Sequence, residues 1–307
     1  MSSIPDTSQP DWPCGRVGYV ALLGRPNVGK STFLNTVLGQ HLAAVSALPQ
    51  TTRRRFLGIY SEPQVQMLFL DAPGVHRPAD ELGQCMERAV LRVLTEADVV
   101  LCVADPTRAP GDEDGLVAAR AAAATRAVVV LAVNKCDAAT AEQILRTESF
   151  YREAIPAAVV HRVSALDRAS LLPLLASITQ ALPEGPFLYD AEQVTDSFER
   201  DIGAELIREA CLLHLRQEVP HALAVAIDEW ADASRPVRIQ ATLHVERESQ
   251  KGIVVGHGGT VIAAIRAAAQ ARLKVLCGGP VTLRLWVKVS PDWRERRGLL
   301  RDFRLQD

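Results

Sequence analysis

Cysteine is scarce and scattered in this 307-residue chain: six residues, with no C-x-x-C pair and no Cys/His cluster. That argues against a disulfide framework or a zinc site and for a reducing compartment. No uninterrupted apolar run approaches the roughly 18 residues of a bilayer span; the densest, AVVVLAV at 127–133, has the length of a buried strand. The opening MSSIPDTSQPDWP lacks both a basic cluster and an apolar core, so it reads as a flexible tail over 1–16 and not as a signal peptide. These absences point to a cytoplasmic protein. What the chain does have is apolar content, 48%, ample for a packed core at a length that suits one large domain or two ordinary ones. Its net charge of −2 is unevenly spread: from Gln250 to the end 11 Lys or Arg face 4 Asp or Glu, a local +7 on an acidic remainder. Such a basic region suits a polyanionic partner and suits a solvated surface equally well.

The first half carries chemistry in order. RVGYVALLG (16–24) reads as a strand, GRPNVGKST follows, and FLNTVLG reads as a helix closed by Gly39. Gly24, Arg25, Pro26, Asn27, Val28, Gly29, Lys30 and Ser31 complete G-x-x-x-x-G-K-S, with Thr32 behind them. The glycines let backbone N–H groups turn onto phosphate oxygens, Lys30 reaches the β and γ phosphates, and the Ser31 hydroxyl is offered to Mg2+. The base is identified further on, where the strand VVVLAV ends in Asn134, Lys135, Cys136 and Asp137. In N-K-x-D the Asp carboxylate accepts from guanine N1–H and the 2-amino group, a donor pair that adenine does not present. Lys135 is expected along the ring plane, and Asn134 is expected to tie this loop to the phosphate side. VQMLFLDAPG delivers Asp71 and Gly74 as D-x-x-G, for Mg2+ and for sensing the γ-phosphate. Ser164, Ala165 and Leu166 of SALD take the place of the element whose backbone meets guanine O6. Thr51 and Thr52, in PQTTRRRFLGI, are the switch I candidates, with Thr52 as a further Mg2+ ligand. Val75 stands where Ras-like proteins carry a water-orienting glutamine, so hydrolysis is expected to be slow. Switch I backbone, a partner, or a monovalent cation such as K+ held by Asn27 are the alternatives for placing the water.

Beyond LPEGPFLYD (182–190) the pattern predicts helix, strand, strand, helix, helix, strand. Gly256, His257, Gly258 and Gly259 lie between the two adjacent helices, at 249–255 and 260–272. No strand feeds this loop and Val261 replaces the third glycine, which excludes a dinucleotide fingerprint. G-x-x-G between helices beside a three-stranded sheet resembles a type II KH domain, where the loop backbone runs against about four single-stranded nucleotides. On that reading Lys251, Gly252, Ile253, Gly256, His257, Gly258, Gly259 and Ile262 line the RNA site, with Val254, Val255, Val261 and Ile265 packing behind it. Lys274, Arg272, Arg284 and Lys288 are further candidates for phosphate contacts.

Taken together, these halves resemble the Era family of bacterial ribosome-assembly GTPases. The likeness runs from about residue 17 to 300 and extends to PQTTR, ELIREACLLHLRQEVPHALAVAIDEW and VERESQKGIVVGHGG. His257, where relatives carry Lys, and His221, where they carry Tyr, depart from it. The resemblance implies a Ras-like P-loop GTPase α/β domain over 17–182, a linker over 183–198 and an α+β type II KH domain over 199–307. It implies GTP/GDP and Mg2+ as cofactors, the 3′ end of 16S rRNA and the 30S subunit as partners, a monomer, and some peripheral association with the inner membrane. A P-loop enzyme acting on a small molecule lacks any acid/base cluster here, and a tandem-G-domain or tRNA-modifying GTPase would show a second P-loop or lose the KH loop.

Overall fold

A computed structural model describes residues 13–45, 53–233 and 235–305. The N-terminal domain is built on one sheet in the order β2-β3-β1-β4-β5-β6, from β1 (Cys14–Leu23), β2 (Phe56–Glu62), β3 (Val65–Asp71), β4 (Val99–Ala104), β5 (Val128–Val133) and β6 (Val159–Arg162). Only β2 is antiparallel to its neighbour in this series. The strands are near-continuous apolar runs because both faces are covered. On one side α1 (Lys30–Leu38) and α5 (Arg168–Ala181) bury Phe33, Leu34, Leu171 and Ile178. On the other, α2 (Glu81–Glu96), α3 (Asp112–Ala123) and α4 (Ala141–Ala154) bury Val90, Val117 and Tyr151. The central strand β1 lies between β3 and β4, so its C-terminal end is the crevice where ligands meet a doubly wound sheet.

Two stretches expected to be loose are tied down. Cys14, Gly15 and Arg16, placed in the tail by sequence, are the first residues of β1 and pair with β7 (Glu184–Pro186). The segment expected as a linker, 183–198, is thereby strapped to the sheet: Gln66 Nε2 donates to the Tyr189 carbonyl, its Oε1 accepts from Leu188 and Tyr189, and Thr195 bonds Leu57.

In the second domain α6 (Glu199–His214) and α8 (Thr260–Leu276) pack on a sheet ordered β10-β9-β8, from β8 (Ala224–Ala231), β9 (Val237–Val245) and β10 (Val281–Val289). β8 and β9 are antiparallel, while β9 and β10 are parallel and joined through α7 (Glu248–Val255) and α8. Residues 248–276 are together long and apolar enough by composition to cross a membrane, yet the glycine loop divides them into two helices. After β10 the chain adds a turn at Trp293–Glu295 and α9 (Arg297–Asp302), which the sequence pattern did not announce. This C-terminal segment packs on the first domain: Leu82, Cys85 and Met86 of α2 share a core with Trp293, Leu300 and Phe303. Arg294–Asp80 (3.4 Å) and Arg297–Glu81 (2.9 Å) flank it.

Candidate functional site

The phosphate cradle follows from β1 running straight into α1. Gly29 precedes the helix at φ 100°, a left-handed value that favours glycine, and a Cβ there would sit 2.3 Å from Asn134 Nδ2. A Cβ on Gly24 would meet the Val103 carbonyl at 2.7 Å. The first turn of α1 holds no acidic residue and no side-chain cap, leaving its N–H groups and dipole for an anion. Lys30 is buried there with its Nζ 3.3 Å from the Gly24 carbonyl; burial pushes its pKa down and the Asp71 charge pulls it back. A desolvated ammonium in this position gains more from a phosphate than a hydrated one.

Ser31 Oγ donates to Asp71 Oδ2 at 3.3 Å, and Asp71 is fully buried at the end of β3. A hydroxyl and one carboxylate are the hard oxygen donors that Mg2+ takes when phosphates and water complete its shell, so Ser31 and Asp71 fit it. Thr51 and Thr52 lie outside the described residues. Gly74 packs on the P-loop so closely that a Cβ would reach Pro26 N at 2.7 Å, and the next N–H, of Val75, donates to the Gly24 carbonyl at 3.1 Å. The Val75 side chain is buried in the core under α2, so it presents nothing to an attacking water.

The base loop is fastened to the cradle by two side chains. Asn134 Nδ2 donates to the Val28 carbonyl (2.8 Å) while its Oδ1 accepts from Ala165 N–H (2.8 Å), joining P-loop, N-K-x-D and S-A elements. Lys135, left-handed at φ 57°, gives its Nζ to the Asn27 carbonyl (2.8 Å) and to Asp105 Oδ2 (2.7 Å). Asp137 sits exposed in the turn Cys136–Ala138, where its carboxylate can meet a base. Ala165 is buried and held through its carbonyl by Thr36 Oγ1 (2.6 Å), and the Leu166 side chain is 79% exposed. Both polar backbone groups of Ala165 are thus taken within the protein, by Asn134 and Thr36. Thr32, in the first turn of α1, is half-buried.

Arg25 departs from the expectation of ligand contact. Its side chain turns inward, with Nε on Asp114 Oδ1 (3.1 Å) and NH2 on the Asp105 carbonyl (3.3 Å), so only its backbone faces the cradle. Asp114 also accepts from Tyr151 (2.9 Å), whose pKa burial raises, so the phenol stays a donor. Asp105 was missed by sequence reasoning, although an Asp closing the apolar run VVLCVA is a readable signal at this sheet edge. Burial pushes its pKa up, but hydrogen bonds from Lys135 and Thr107 outweigh that and hold it below the ordinary value.

In the second domain the glycine loop takes three left-handed values, φ 73° at Gly256, 58° at Gly258 and 79° at Gly259. A Cβ on Gly256 would strike Val261 Cγ2 at 2.5 Å, whereas nothing stands within 4 Å of one on Gly258 or Gly259. The loop is therefore shaped at its first glycine and open at the others. His257 and Gly252 are exposed, Ile253 is 47% exposed and Ile262 half-buried, an apolar wall beside an open backbone. Val254 and Ile265 belong to the core. Lys251 lies 3.9 Å from Glu248, while Arg272 pairs with Glu209 of α6 (3.3 Å) in its own domain and meets His41 of the first domain at 2.7 Å. Arg272 is thus an interdomain cation and is withdrawn from the phosphate candidates.

A family model described as 50S ribosome-binding GTPase matches residues 19–135, and one described as KH domain matches 218–294. GTPase Era of Heliobacterium modesticaldum is 38% identical over 289 residues, covering 94% of this chain and 96% of its own. The chain belongs to the Era family of GTPases. As a member it is a GTP-hydrolysing enzyme with a Ras-like domain followed by a KH domain. Among solved structures, a point variant of Aquifex aeolicus Era bound to GDP and AlF4− superimposes with a TM-score of 0.90 at 36% identity, over 95% of this chain and 100% of that one. An Era complex with MgGDPNP and nucleotides 1506–1542 of 16S ribosomal RNA matches with the same score, identity and coverage.

Proposed function

We propose that this GTPase binds 16S rRNA near its 3′ end through the groove beside Gly256–Gly259 and acts, as a monomer, in assembly and maturation of the 30S subunit. The observation that carries the reading is the open left-handed backbone at Gly258 and Gly259, in a chain that superimposes over 95% of its length on an Era solved with a 16S rRNA segment. The description of the first-domain family names the large subunit, but the RNA held by that relative is of the small one. The same relative is in complex with MgGDPNP, and the cradle here suits a guanine nucleotide with Mg2+. There Lys30 would hold the β and γ phosphates, Ser31 and Asp71 would hold the metal, and Asp137 would read the base. Bound Mg2+ supplies charge neutralisation on the transferring phosphoryl group. Since Val75 is buried, we extend the proposal to K+ at Asn27, whose backbone is left-handed at φ 64° inside the P-loop; hydrolysis faster in K+ than in Na+, with the difference lost in Asn27→Ala, supports it. A cytoplasmic location with some peripheral membrane association completes the reading, supported by the basic C-terminal part and the family resemblance; co-sedimentation with anionic vesicles tests the membrane part.

The decisive variant is Gly258→Asp. Asp tolerates left-handed φ better than most residues, and no atom lies within 4 Å of the new Cβ, so the fold should survive. The carboxylate then faces the approaching phosphate, and RNA affinity should fall at least about tenfold, or 1.4 kcal/mol, with GTP binding unchanged. A folded Gly258→Asp protein with wild-type RNA affinity would remove the loop from the RNA site.

A further inference from the structure

Strand β10 lies at the edge of the KH sheet, and both helices that flank the glycine loop pack on its inner face. Along it the side chains alternate: Val281 and Leu283 are buried on the inner face, while Thr282, Arg284, Trp286 and Lys288 stand exposed on the outer one. The register places Arg238 of β9 beside Thr282 and Thr242 beside Trp286. Trp286 is 45% exposed, an unusual state for a residue that carries so much apolar area. Its surroundings are not an apolar patch. Arg284 and Lys288 lie two residues away on either side, each about 7 Å along the strand, with Gln240 and His244 diagonally across, while Arg238, opposite Thr282, lies roughly 13 Å further along the same face. The acidic groups of this face are on the far strand and occupied: Asp228 accepts from Thr242 Oγ1 (2.8 Å) and Glu229 from Gln240 Nε2. The C-terminal segment closes one end of the face, with Phe303 4.4 Å from His244, and Trp286 keeps 45% of its surface exposed.

An exposed aromatic on a sheet, flanked by cations at strand spacing, offers a π-face to a base and charges to the phosphates on either side of it. We propose that the outer face around Trp286, with Arg238, Arg284 and Lys288, is a second contact for single-stranded RNA, reached by a strand that leaves the glycine-loop groove and turns over the β10 edge. This rests on the groove reading above. Continuity favours RNA over a protein partner: β10 is at once the edge strand beneath the loop helices and the carrier of Trp286, and a Trp set between Arg284 and Lys288 and opposite Thr242 lacks the apolar neighbours of a protein hot spot.

The test uses the full chain and two unstructured RNAs ending at the 3′ end of 16S rRNA, one of about four nucleotides, enough to fill the groove, and one of about twelve. Trp286→Ala should weaken the long RNA about tenfold, a usual loss for one stacked base, and leave the short RNA and GTP unaffected. Trp286→Phe should keep most of the affinity, whereas Trp286→Leu, apolar but without a ring, should not. Arg284→Gln combined with Lys288→Gln should flatten the slope of log K against log salt for the long RNA by about 1.4, two contacts at about 0.7 each on a single strand. Wild-type affinity of Trp286→Ala for both RNAs overturns the sheet contact and leaves the groove standing. Equal weakening of both overturns it too, making Trp286 a support of the groove. If Gly258→Asp binds both RNAs as the wild type does, the groove reading falls and this one with it. Should Trp286→Ala not fold, the Leu variant decides, its wild-type affinity for the long RNA being the refuting result.

Discussion

Arg53 is the first described residue after the switch I candidates, and its side chain leaves its own domain entirely. It is 2% exposed, donates to the Leu223 (2.7 Å) and His221 (2.9 Å) carbonyls, reaches the Pro220 carbonyl at 3.5 Å, and lies 5.7 Å from the Trp293 ring centroid. Burial, and then the nearby Arg208 charge, lower its pKa to about 9, so the guanidinium remains charged at neutral pH. Arg53→Ala removes two well-formed charged hydrogen bonds and strands their carbonyls in a dry site, at roughly 1.5–3 kcal/mol for each bond before water re-enters. Allowing for partial rescue by water, the loss should be about 3–4 kcal/mol, in the range for breaking a buried ionic contact. For a body of about 300 residues, at about 2.1 cal/mol/K per residue, that is roughly 5–6 °C in melting temperature. The assay is thermal unfolding of the GDP-loaded protein, with Arg53→Lys alongside; Lys offers a point charge that serves fewer carbonyls and should fall between the two. A melting temperature within about 1 °C of wild type for Arg53→Ala, well below that expected shift, would show that these contacts do not hold the domains together.

Asp137→Asn should lower GTP affinity at least about a hundredfold, since two charge-assisted hydrogen bonds at roughly 1.5–3 kcal/mol each are lost, and should raise affinity for xanthine nucleotides; competition against a fluorescent GDP reads both, and unchanged GTP affinity removes Asp137 from the base site. Lys30→Ala should abolish tight binding of GTP and GDP alike, and normal turnover by that variant contradicts the cradle. Stability should fall as pH is lowered from about 7.5 to about 5.5, across the ordinary histidine range. Burial lowers the pKa of His221 and His244, assisted at His221 by Arg53, Arg294 and Arg208 and at His244 by Lys288 against Asp228. The unfolded chain therefore takes up protons near about 6.5 while the folded one does not, and folding loses ground below that pH, before carboxylates near about 4 titrate. A melting temperature that stays flat or rises over this range contradicts the assignment.

Most of the nucleotide site was legible because its chemistry is local. A glycine spacing, a strand before it and a helix after it determine where backbone N–H groups point, and N-K-x-D at a strand end needs no tertiary knowledge to be placed. The role of Asn134 as a tie to the cradle followed from the same order. The side chain of Arg25 was not legible: the loop pattern includes the residue without saying where its guanidinium goes, and only the positions of Asp105, Asp114 and Tyr151, all far along the chain, show that it braces the loop from behind. The strap over 183–198 was read as a linker because Pro and Gly signal loops, whereas Gln66, a polar residue inside an apolar strand, was the available sign that something backbone-like docks there. The glycine loop was legible by spacing, but Arg272 was not, since a basic residue in a basic region gives no hint of which face it leaves.

The three arginines 53–55 show how the two domains become one packed body. Arg53 enters the KH domain, Arg54 pairs with Asp201 at 3.2 Å and donates to the Phe303 carbonyl, and Arg55 stays behind on Glu96 at 3.1 Å. Phe303 and Trp293 in turn pack on α2, the helix that follows the D-x-x-G loop, while Arg294 and Arg297 hold its first turn through Asp80 and Glu81. The same C-terminal segment thus grips the chain just after the switch I candidates and just after Gly74. A flexible tether would leave each domain free to reorient without loss. Here any relative movement of these two flanks must break buried charged contacts or shear an apolar core, each worth several kcal/mol, so the positions of the nucleotide flanks and of the KH domain are mechanically bound to each other by the residues that follow β10.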